Sequence, residues 1–307
     1  MTGGPGPAAG ADVDVSPTAV PQGPRIHAHE WVTARGRIPL DRPLIAGILN
    51  VTPDSFSDGG RFLDPSAALH QAEQLVAAGA GMLDVGAEST RPGAARVADE
   101  EEWRRLAPVL EGLARSFGTL PVSVDTTRAT TAARALDSGA WVINDVSGLR
   151  LEPDLATVCA SYGAGLVLMH SRGVVSDMAT YAHADYADVP GEVARELAAA
   201  LEGAVAAGVS RASVVLDPGL GFAKTPEQSL AVLCHLPVLA ELGRPLMIGP
   251  SRKRFLGAVT GRDVADRDGA TAAACVVAYL RGASIFRVHA VEPVRDALAV
   301  AVAVEMA

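Results

Sequence analysis

The pattern of apolar and polar residues repeats along the chain from Pro43 onward. In each repeat a helical stretch ends in a small residue and a glycine, and a short apolar run follows, as in "AAGAGMLDV" and "SYGAGLVLMH". A glycine just after a helix supplies the left-handed conformation that commonly ends it. These glycines are Gly79, Gly139, Gly163, Gly208 and Gly282. The apolar runs do not alternate with polar residues, which is typical of parallel strands buried on both faces.

Eight such apolar runs follow Pro43, and most of them alternate with amphipathic helical stretches. They cover residues 44–49, 82–86, 121–125, 141–144, 165–169, 213–217, 245–249 and 285–288. Eight strands that alternate with helices predict a (β/α)8 TIM barrel. A doubly wound open sheet is the alternative, but no GxGxxG motif follows the first strand. On the first helix we expect Leu69, Ala72 and Val76 to form the buried face.

The N-terminal part of the chain has a different composition. Residues 1–24 are rich in glycine, proline and alanine and are predicted to be disordered. They contain no basic segment followed by an apolar core, so we do not expect a secretory signal. Residues 25–307 are predicted to form a single catalytic domain that begins with a short hairpin near "HAHEWVTARGRIPLD".

Composition narrows the class of protein. The 307 residues are 49% hydrophobic but only 4% aromatic, which favours helices packed on a sheet through Ala, Val and Leu. A formal net charge of −9 argues against a nucleic-acid partner. No apolar run approaches the length of about 20 residues that spans a membrane. Cys159, Cys234 and Cys275 lie far apart and are predicted to be buried thiols in a reducing compartment, so we expect a cytoplasmic protein.

Polar residues stand where almost every predicted strand ends. They are Asn50, Asp84, Asp125, Asn144, His170, Asp217, Ser251, Arg287 and His289. One polar residue in such a place is often only the cap of the next helix. A whole ring of them predicts a functional site, because the carboxyl ends of barrel strands meet at one face.

The chemistry of this ring favours two kinds of ligand. Asp125, Asn144, Asp217 and Lys253 offer the acceptors, the amide and the cation that suit a flat heterocycle with several N–H and C=O edges. Arg252, Arg287 and His289 come from the last strand ends, where barrels commonly bind phosphate groups.

Asn50 and Asp58 are oxygen ligands of the type that holds Mg²⁺ while phosphates supply the other contacts. No His/Cys cluster predicts a zinc site. The two long polar loops "NVTPDSFSDGGRFLD" and "ESTRPGAARVADEE" are predicted to be mobile lids that become ordered when ligand binds.

Several long motifs, in this order, resemble those of the dihydropteroate synthase family. They are "ILNVTPDSFSDGG", "DVGAESTRPGA", "VSVDTTRA", "INDVSG", "LDPGLGFAKT", "SRKRFLG" and "RVH". The resemblance runs from about Pro43 to the C-terminus. It implies a TIM barrel, a homodimer packed through its late helices, and the condensation of 6-hydroxymethyl-7,8-dihydropterin pyrophosphate with 4-aminobenzoate. The products would be 7,8-dihydropteroate and pyrophosphate.

The resemblance also implies a role for each matching residue. The pterin would be held by Asp125, Asn144, Met169, Asp217 and Lys253. The pyrophosphate would contact Asn50, Arg252, Arg287 and His289, with Mg²⁺ on Asn50 and Asp58. The aminobenzoate would be enclosed by Phe56, Thr90, Arg91, Pro92, Phe222, Lys224 and Ser251, the last at a helix N-terminus. Catalysis would depend on Asp125, Lys253, Arg91 and Asp84, whereas Arg254 has no predicted ligand.

The implied chemistry is early departure of pyrophosphate followed by attack of the neutral amine, without a covalent enzyme intermediate. Two positions depart from the family pattern: Ser171 stands where a larger side chain is common, and Ala223 where glycine is frequent. Two alternatives remain open, a methyltetrahydrofolate-binding methyltransferase domain and a pterin-binding relative without catalysis. The methyltransferase would not need the "ESTRPG" and "SRKRFLG" motifs, because it handles no pyrophosphate. The relative without catalysis would show changes in these loops, and none is visible in the sequence.

Overall fold

A computed structural model describes residues 29–52, 64–88 and 96–307 of the chain. The strands are β1 (Glu30–Thr33), β2 (Gly36–Pro39), β3 (Leu44–Asn50), β4 (Met82–Gly86), β5 (Val122–Asp125), β6 (Val142–Asp145), β7 (Gly165–Met169), β8 (Val214–Asp217), β9 (Leu246–Ile248) and β10 (Ala283–Val288). Strands β3 to β10 form a closed parallel barrel in the order β10-β3-β4-β5-β6-β7-β8-β9. The predicted TIM barrel is confirmed, and each of the eight predicted strands overlaps an observed one.

Helices follow most of these strands within the described residues. They are α1 (Pro65–Ala77), α2 (Asp99–Ser116), α3 (Ala129–Asp137), α4 (Asp154–Tyr162), α5 (Val189–Ala206), α6 (Pro226–Cys234), α7 (Leu236–Ala240), α8 (Arg254–Thr260), α9 (Asp268–Tyr279) and α10 (Val291–Glu305). Short 3-10 turns cover Arg211–Ser213 and Val264–Asp266. The N-terminus of α6 has a capping box, in which the Thr225 hydroxyl and the Gln228 side chain bond to each other's backbone. No helix of the described residues is long and apolar enough to cross a membrane.

The repeated glycines end helices as their sequence context predicts. All five have positive φ angles; the φ of Gly163, which ends α4, is 59°. Gly79 has a φ of 108°, and a Cβ atom there would lie 2.8 Å from Cδ of Arg295. A side chain at Gly79 is therefore disfavoured twice, by the backbone conformation and by this contact.

The N-terminal hairpin closes one end of the barrel. The apolar side chains that fill the barrel interior with it are Trp31, Ile38, Leu40, Leu44, Ala46, Met82, Val142, Val167, Val215, Met247 and Ile285. Trp31 is fully buried, and its Nε1 donates a hydrogen bond to the carbonyl of Ser213, 2.6 Å away, just before β8. The predicted hairpin is confirmed, and it lies at the end of the barrel from which the strands begin.

The predicted core-facing side of the first helix is confirmed in part: Ala72 is in the core, and Leu69 and Val76 pack against it without being fully buried. Ala68, Ala72 and Leu75 are buried in α1, whereas Leu69 and Val76 are only half-buried. Leu69 instead packs against helix α2, because Gly112 leaves room there; a Cβ on that glycine would lie 2.6 Å from Cδ1 of Leu69. The predicted disorder of residues 1–24 concerns a part of the chain that lies outside the described residues.

Candidate active site

The polar residues at the strand ends face the barrel interior because strands alternate their side chains. Met82 and Ile285 belong to the interior apolar layer, and Asp84 and Arg287 follow each of them by two positions. The strand register brings the other members of the ring to the same level. These members are Asn50, Asp125, Asn144, Met169 and Asp217.

Arg287 joins two of the carboxylates across the barrel mouth. Its Nε lies 2.5 Å from Oδ2 of Asp84, and its Nη2 lies 2.9 Å from Oδ2 of Asp125. Asp84 is fully buried and also receives Nδ2 of Asn144, at 3.3 Å. These bonds make Asp84 a partner that orients Arg287 and Asn144. Nη1 of Arg287 has no hydrogen-bond partner among the described residues.

Burial shifts the protonation of the groups in this ring. It raises the pKa of Asp125 to about 7, and the nearby Asp84 carboxylate adds to the rise while Arg287 opposes it. The pKa of Asp217 is also raised by burial, against the effect of Lys253. Burial lowers the pKa of Lys253 to about 7, although Asp217 favours its charged form. The site therefore contains an acid and a base that both titrate near neutral pH.

Lys253 follows β9 in sequence, and its side chain reaches the site by packing on the turn that follows β8. Its ammonium donates a hydrogen bond to the carbonyl of Leu220 and lies 4.1 Å from the centroid of the Phe222 ring. A Cβ on Gly221 would lie 3.1 Å from Cδ of Lys253, so the lysine stem passes directly over this glycine. The turn between Asp217 and Lys224 thus fixes the direction of the Lys253 side chain.

Lys224 holds this turn from inside the protein. It is 1% exposed, and its Nζ lies 3.2 Å from the carbonyl of Gly219, 3.1 Å from that of Phe222 and 2.8 Å from Nδ1 of His170. The Gly219 amide also donates a hydrogen bond to Oδ1 of Asp217, at 2.7 Å. The structure therefore places the Lys224 ammonium beneath the turn, whereas the sequence predicted it in the wall of the aminobenzoate subsite.

His170 belongs to the same internal network. Its Nε2 lies 3.0 Å from Oε2 of Glu196, which leaves Nδ1 to accept from Lys224. Burial and the neighbouring Lys224 lower the pKa of His170 to about 4. His170 is accordingly neutral near pH 7 and supports Lys224.

The cations of "SRKR" separate in space. Arg252 has a φ of 56°, and its Nε and Nη2 lie 2.7 and 2.8 Å from the two carboxylate oxygens of Asp268. Arg254 stacks on Tyr181 at 4.4 Å and donates to the carbonyl of Ala179. Lys253 alone of the three points to the ring of strand-end residues. Arg254, for which the sequence predicted no partner, anchors the segment before α5.

Ser251 lies in a turn before α8, which begins at Arg254 with Lys253 as its N-cap. The expected position of Ser251 at a helix N-terminus is therefore wrong. Its hydroxyl is 2.9 Å from Nδ1 of His289 and accepts the His289 amide at 3.1 Å. These bonds make Ser251 the residue that orients the His289 ring.

An apolar cluster lines one side of the mouth. It consists of Val146, Met169, Val175, Met178 and Phe222. Sequence reasoning found Met169 and Phe222 but missed Val175 and Met178, which lie in an irregular segment with no periodic pattern. The bond from the Ala223 amide to the Met178 carbonyl, 2.6 Å long, ties this segment to the turn after β8.

Replacing Ala223 by glycine is expected to stabilise the protein. Ala223 has a φ of 46°, a left-handed conformation that costs an alanine about 1–2 kcal/mol. Glycine has the greater chain entropy in the unfolded state, which lowers the free energy of unfolding by about 0.5–1 kcal/mol. We therefore expect a net gain in the free energy of unfolding of about 0.5–1 kcal/mol. Urea denaturation measures it. A loss of stability in Ala223→Gly would mean that the Ala223 methyl packs well enough to outweigh the strain.

Five predicted site residues lie outside the described residues. They are Phe56, Asp58, Thr90, Arg91 and Pro92. The described part of the chain has no group of three or more His, Cys, Asp or Glu side chains that could hold a metal ion. Asn50 lies at the end of β3, half-buried, with its amide free of hydrogen bonds to the described residues. One oxygen ligand of this kind fits Mg²⁺, which takes few protein contacts when phosphates coordinate it.

Comparison with known proteins places the chain beside pterin-binding enzymes. Residues 46–289 match the family described as pterin binding enzyme. A dihydropteroate synthase of Mycobacterium leprae is 48% identical over 262 residues, 83% of this chain and 91% of that protein. The structure of Xanthomonas albilineans dihydropteroate synthase with 4-aminobenzoic acid superposes with a TM-score of 0.84 at 42% identity, covering 91% of this chain and 99% of that one. The same enzyme in complex with 7,8-dihydropteroate gives a TM-score of 0.80 at 39% identity, with the same coverage.

Proposed function

Because the chain belongs to the dihydropteroate synthase family of pterin-binding enzymes, and is thus a transferase of folate synthesis, we propose how its site works. It condenses 6-hydroxymethyl-7,8-dihydropterin pyrophosphate with 4-aminobenzoate to give 7,8-dihydropteroate and pyrophosphate. The observation that carries this proposal is the ring of Asp125, Asn144, Asp217 and Lys253 around Arg287 at the barrel mouth.

The pterin binds against the carboxylates and the amide. An ionised carboxylate accepts two parallel N–H donors from an amino-pyrimidine edge, and the buried Asp217 and the partly exposed Asp125 are acceptors of this kind in the ring. Asn144 offers both a donor and an acceptor to ring nitrogens and carbonyls. Because these groups are removed from water, a ligand that leaves them unpaired is strongly disfavoured. Met169 and Phe222 supply the apolar contacts.

The pyrophosphate lies on the other side of the ring. The free Nη1 of Arg287 and the ring of His289 are the cationic and donor groups nearest the end of β10. Asn50 would hold Mg²⁺, which when bound would neutralise phosphate charge. Arg252 is bound to Asp268 through its Nε and Nη2, so we propose that its predicted contact with pyrophosphate is made by Nη1.

Bond breaking precedes bond formation in the reaction that we propose. The carbon–oxygen bond breaks, pyrophosphate leaves with the electron pair, and the pterin ring stabilises the cationic carbon. Arg287 and Lys253 stabilise the charge that grows on the leaving group. The neutral amine of 4-aminobenzoate then forms the carbon–nitrogen bond, and the proton that it loses passes to the pyrophosphate that has left.

The decisive experiment is a turnover assay. Purified protein with Mg²⁺ and both substrates is expected to release pyrophosphate and form 7,8-dihydropteroate, and neither product should form without 4-aminobenzoate. Asp125→Ala is expected to abolish turnover. A wild-type protein that binds the pterin but never consumes 4-aminobenzoate would instead be a binding protein without this activity.

The activity should depend on pH in a bell shape. Asp125 is ionised above its pKa of about 7, and Lys253 is charged below its pKa of about 7. If both ionised forms are needed, kcat/KM for the pterin substrate peaks near pH 7 and falls on either side. Lys253→Arg should move the alkaline limb to higher pH, because arginine stays charged. An unchanged alkaline limb in that variant would assign the limb to another group.

The late helices also support the homodimer that the family resemblance implies. Val259, Val264, Val300 and Val304 are 57–68% exposed, on or beside α8 and on α10. A dimer would cover these apolar side chains. Light scattering should then give twice the 31.5 kDa of one chain. A cytoplasmic location stays a prediction.

A further inference from the structure

A buried ion pair lies beside the site, on the outer side of β4 and β5. Arg128 is the N-cap residue of α3, three positions after Asp125, and its side chain is 2% exposed. Glu102 comes from the first turn of α2, and its side chain is 1% exposed. Nη1 of Arg128 lies 2.8 Å from Oε2 of Glu102. None of the residues predicted from the sequence belongs to this pair.

Glu102 is fully satisfied by groups from the start of α3. Its Oε1 accepts the Thr126 hydroxyl at 2.9 Å, and its Oε2 accepts the Thr131 hydroxyl at 2.6 Å in addition to Arg128. A buried carboxylate needs such donors, and these three hold the Glu102 side chain in one position. Glu102 therefore fixes Arg128 in place and leaves its remaining nitrogens for other partners.

Besides Glu102, Arg128 contacts Glu88 and Val97 at the two ends of the β4–α2 connection and Asp99, the first residue of α2. Nη1 lies 3.0 Å from Oε2 of Glu88, Nε lies 2.7 Å from Oδ1 of Asp99, and Nη2 donates to the carbonyl of Val97. Glu88 in turn accepts the Val97 amide at 3.0 Å through Oε1. Residues 89–95 lie outside the described residues, but both ends of the connection meet at one guanidinium.

We propose that Arg128 is a positioning residue that fixes both ends of the β4–α2 connection for 4-aminobenzoate binding. This inference rests on the proposed function, since Thr90, Arg91 and Pro92 of the connection are predicted to cover that substrate. Arg134 and Glu100 also link α3 to α2, but on the surface, at 2.8 Å and away from the connection.

Substrate kinetics test the role with matched controls. Arg128→Lys keeps the charge that faces Glu102, but a single ammonium cannot reach acceptors in three directions. Glu88→Gln keeps the Arg128–Glu102 pair and weakens only the end of the connection. Both are expected to raise KM for 4-aminobenzoate by about tenfold or more while KM for the pterin substrate changes by less than about twofold. Arg134→Lys and Glu100→Gln, the equivalent changes in the exposed pair, should leave both KM values unchanged.

Limited proteolysis gives a second readout that needs no turnover. Arg96 is exposed and precedes Val97, whose amide and carbonyl are both held by this cluster. Trypsin cleavage after Arg96 should accelerate in Arg128→Lys and Glu88→Gln but not in the controls. Equal rises in both KM values, or wild-type cleavage in both variants, would overturn the positioning role. If the wild type releases no pyrophosphate, the proposed function fails, and the cleavage rates still decide whether Arg128 holds the connection.

Discussion

Lys253→Met is expected to lower kcat/KM by about a thousandfold, the loss typical when a preorganised donor of a charged transition state is removed. The Lys253 ammonium is held over Phe222 by its bond to the Leu220 carbonyl, and Asp217 favours its charged form. Methionine has a similar length and keeps the apolar contact with Phe222, so the variant should fold. Steady-state kinetics and circular dichroism measure the two effects separately.

Arg254→Met is the matched control for this change. Arg254 is the neighbouring cation, but it stacks on Tyr181 and points away from the ring of strand-end residues. Its loss should change kcat/KM by less than about threefold. A Lys253→Met protein that kept more than about a tenth of wild-type kcat/KM would remove Lys253 from the proposed mechanism.

Arg287→Met is expected to abolish turnover and to destabilise the protein by about 3–5 kcal/mol, the cost of leaving a buried charge without its partner. Asp84 and Asp125 would then face each other without the guanidinium that separates them. The pKa of Asp125 is already raised, and loss of Arg287 raises it further. Because protonation removes the repulsion, the destabilisation should shrink as the pH falls from about 8 to about 6. Urea denaturation at the two pH values measures it.

A double variant separates charge from packing in this prediction. Asp84→Asn removes one of the two carboxylates, so Asp84→Asn with Arg287→Met should be less destabilised than Arg287→Met alone. Arg287→Lys keeps the charge but loses the two-pronged contact, and we expect low activity with a smaller loss of stability. A pH-independent loss in Arg287→Met would mean that the packing of Arg287, and not its charge, stabilises the mouth.

The positions of the strands could be predicted from sequence because local signals define them. A glycine such as Gly163 favours the end of a helix, and a short apolar run of four to seven residues after it is typical of a buried strand. The strand-end residues Asp125 and Asn144 then follow from topology, since the carboxyl ends of all eight strands meet at one face.

The partners of individual side chains could not be predicted in the same way. Arg252 meets Asp268, and Lys224 meets His170, across distances in sequence that no local pattern reports. The packing of Leu69 against α2 could not be predicted for a similar reason, since it depends on a glycine in that helix. Arg128 had a local motif, "DTTRA", but only the fold reveals that it meets both ends of another connection.

The hairpin that contains Trp31 covers the end of the barrel from which the strands begin. Because Trp31, Ile38 and Leu40 are buried against the barrel interior at this end, we expect ligands to reach the site from the opposite end, which carries Asp125 and Lys253. When a site is entered from one end, the ligand that binds deepest must bind first and leave last. We therefore expect that a ligand bound against Asp125 cannot dissociate while a second ligand occupies the entrance to the site.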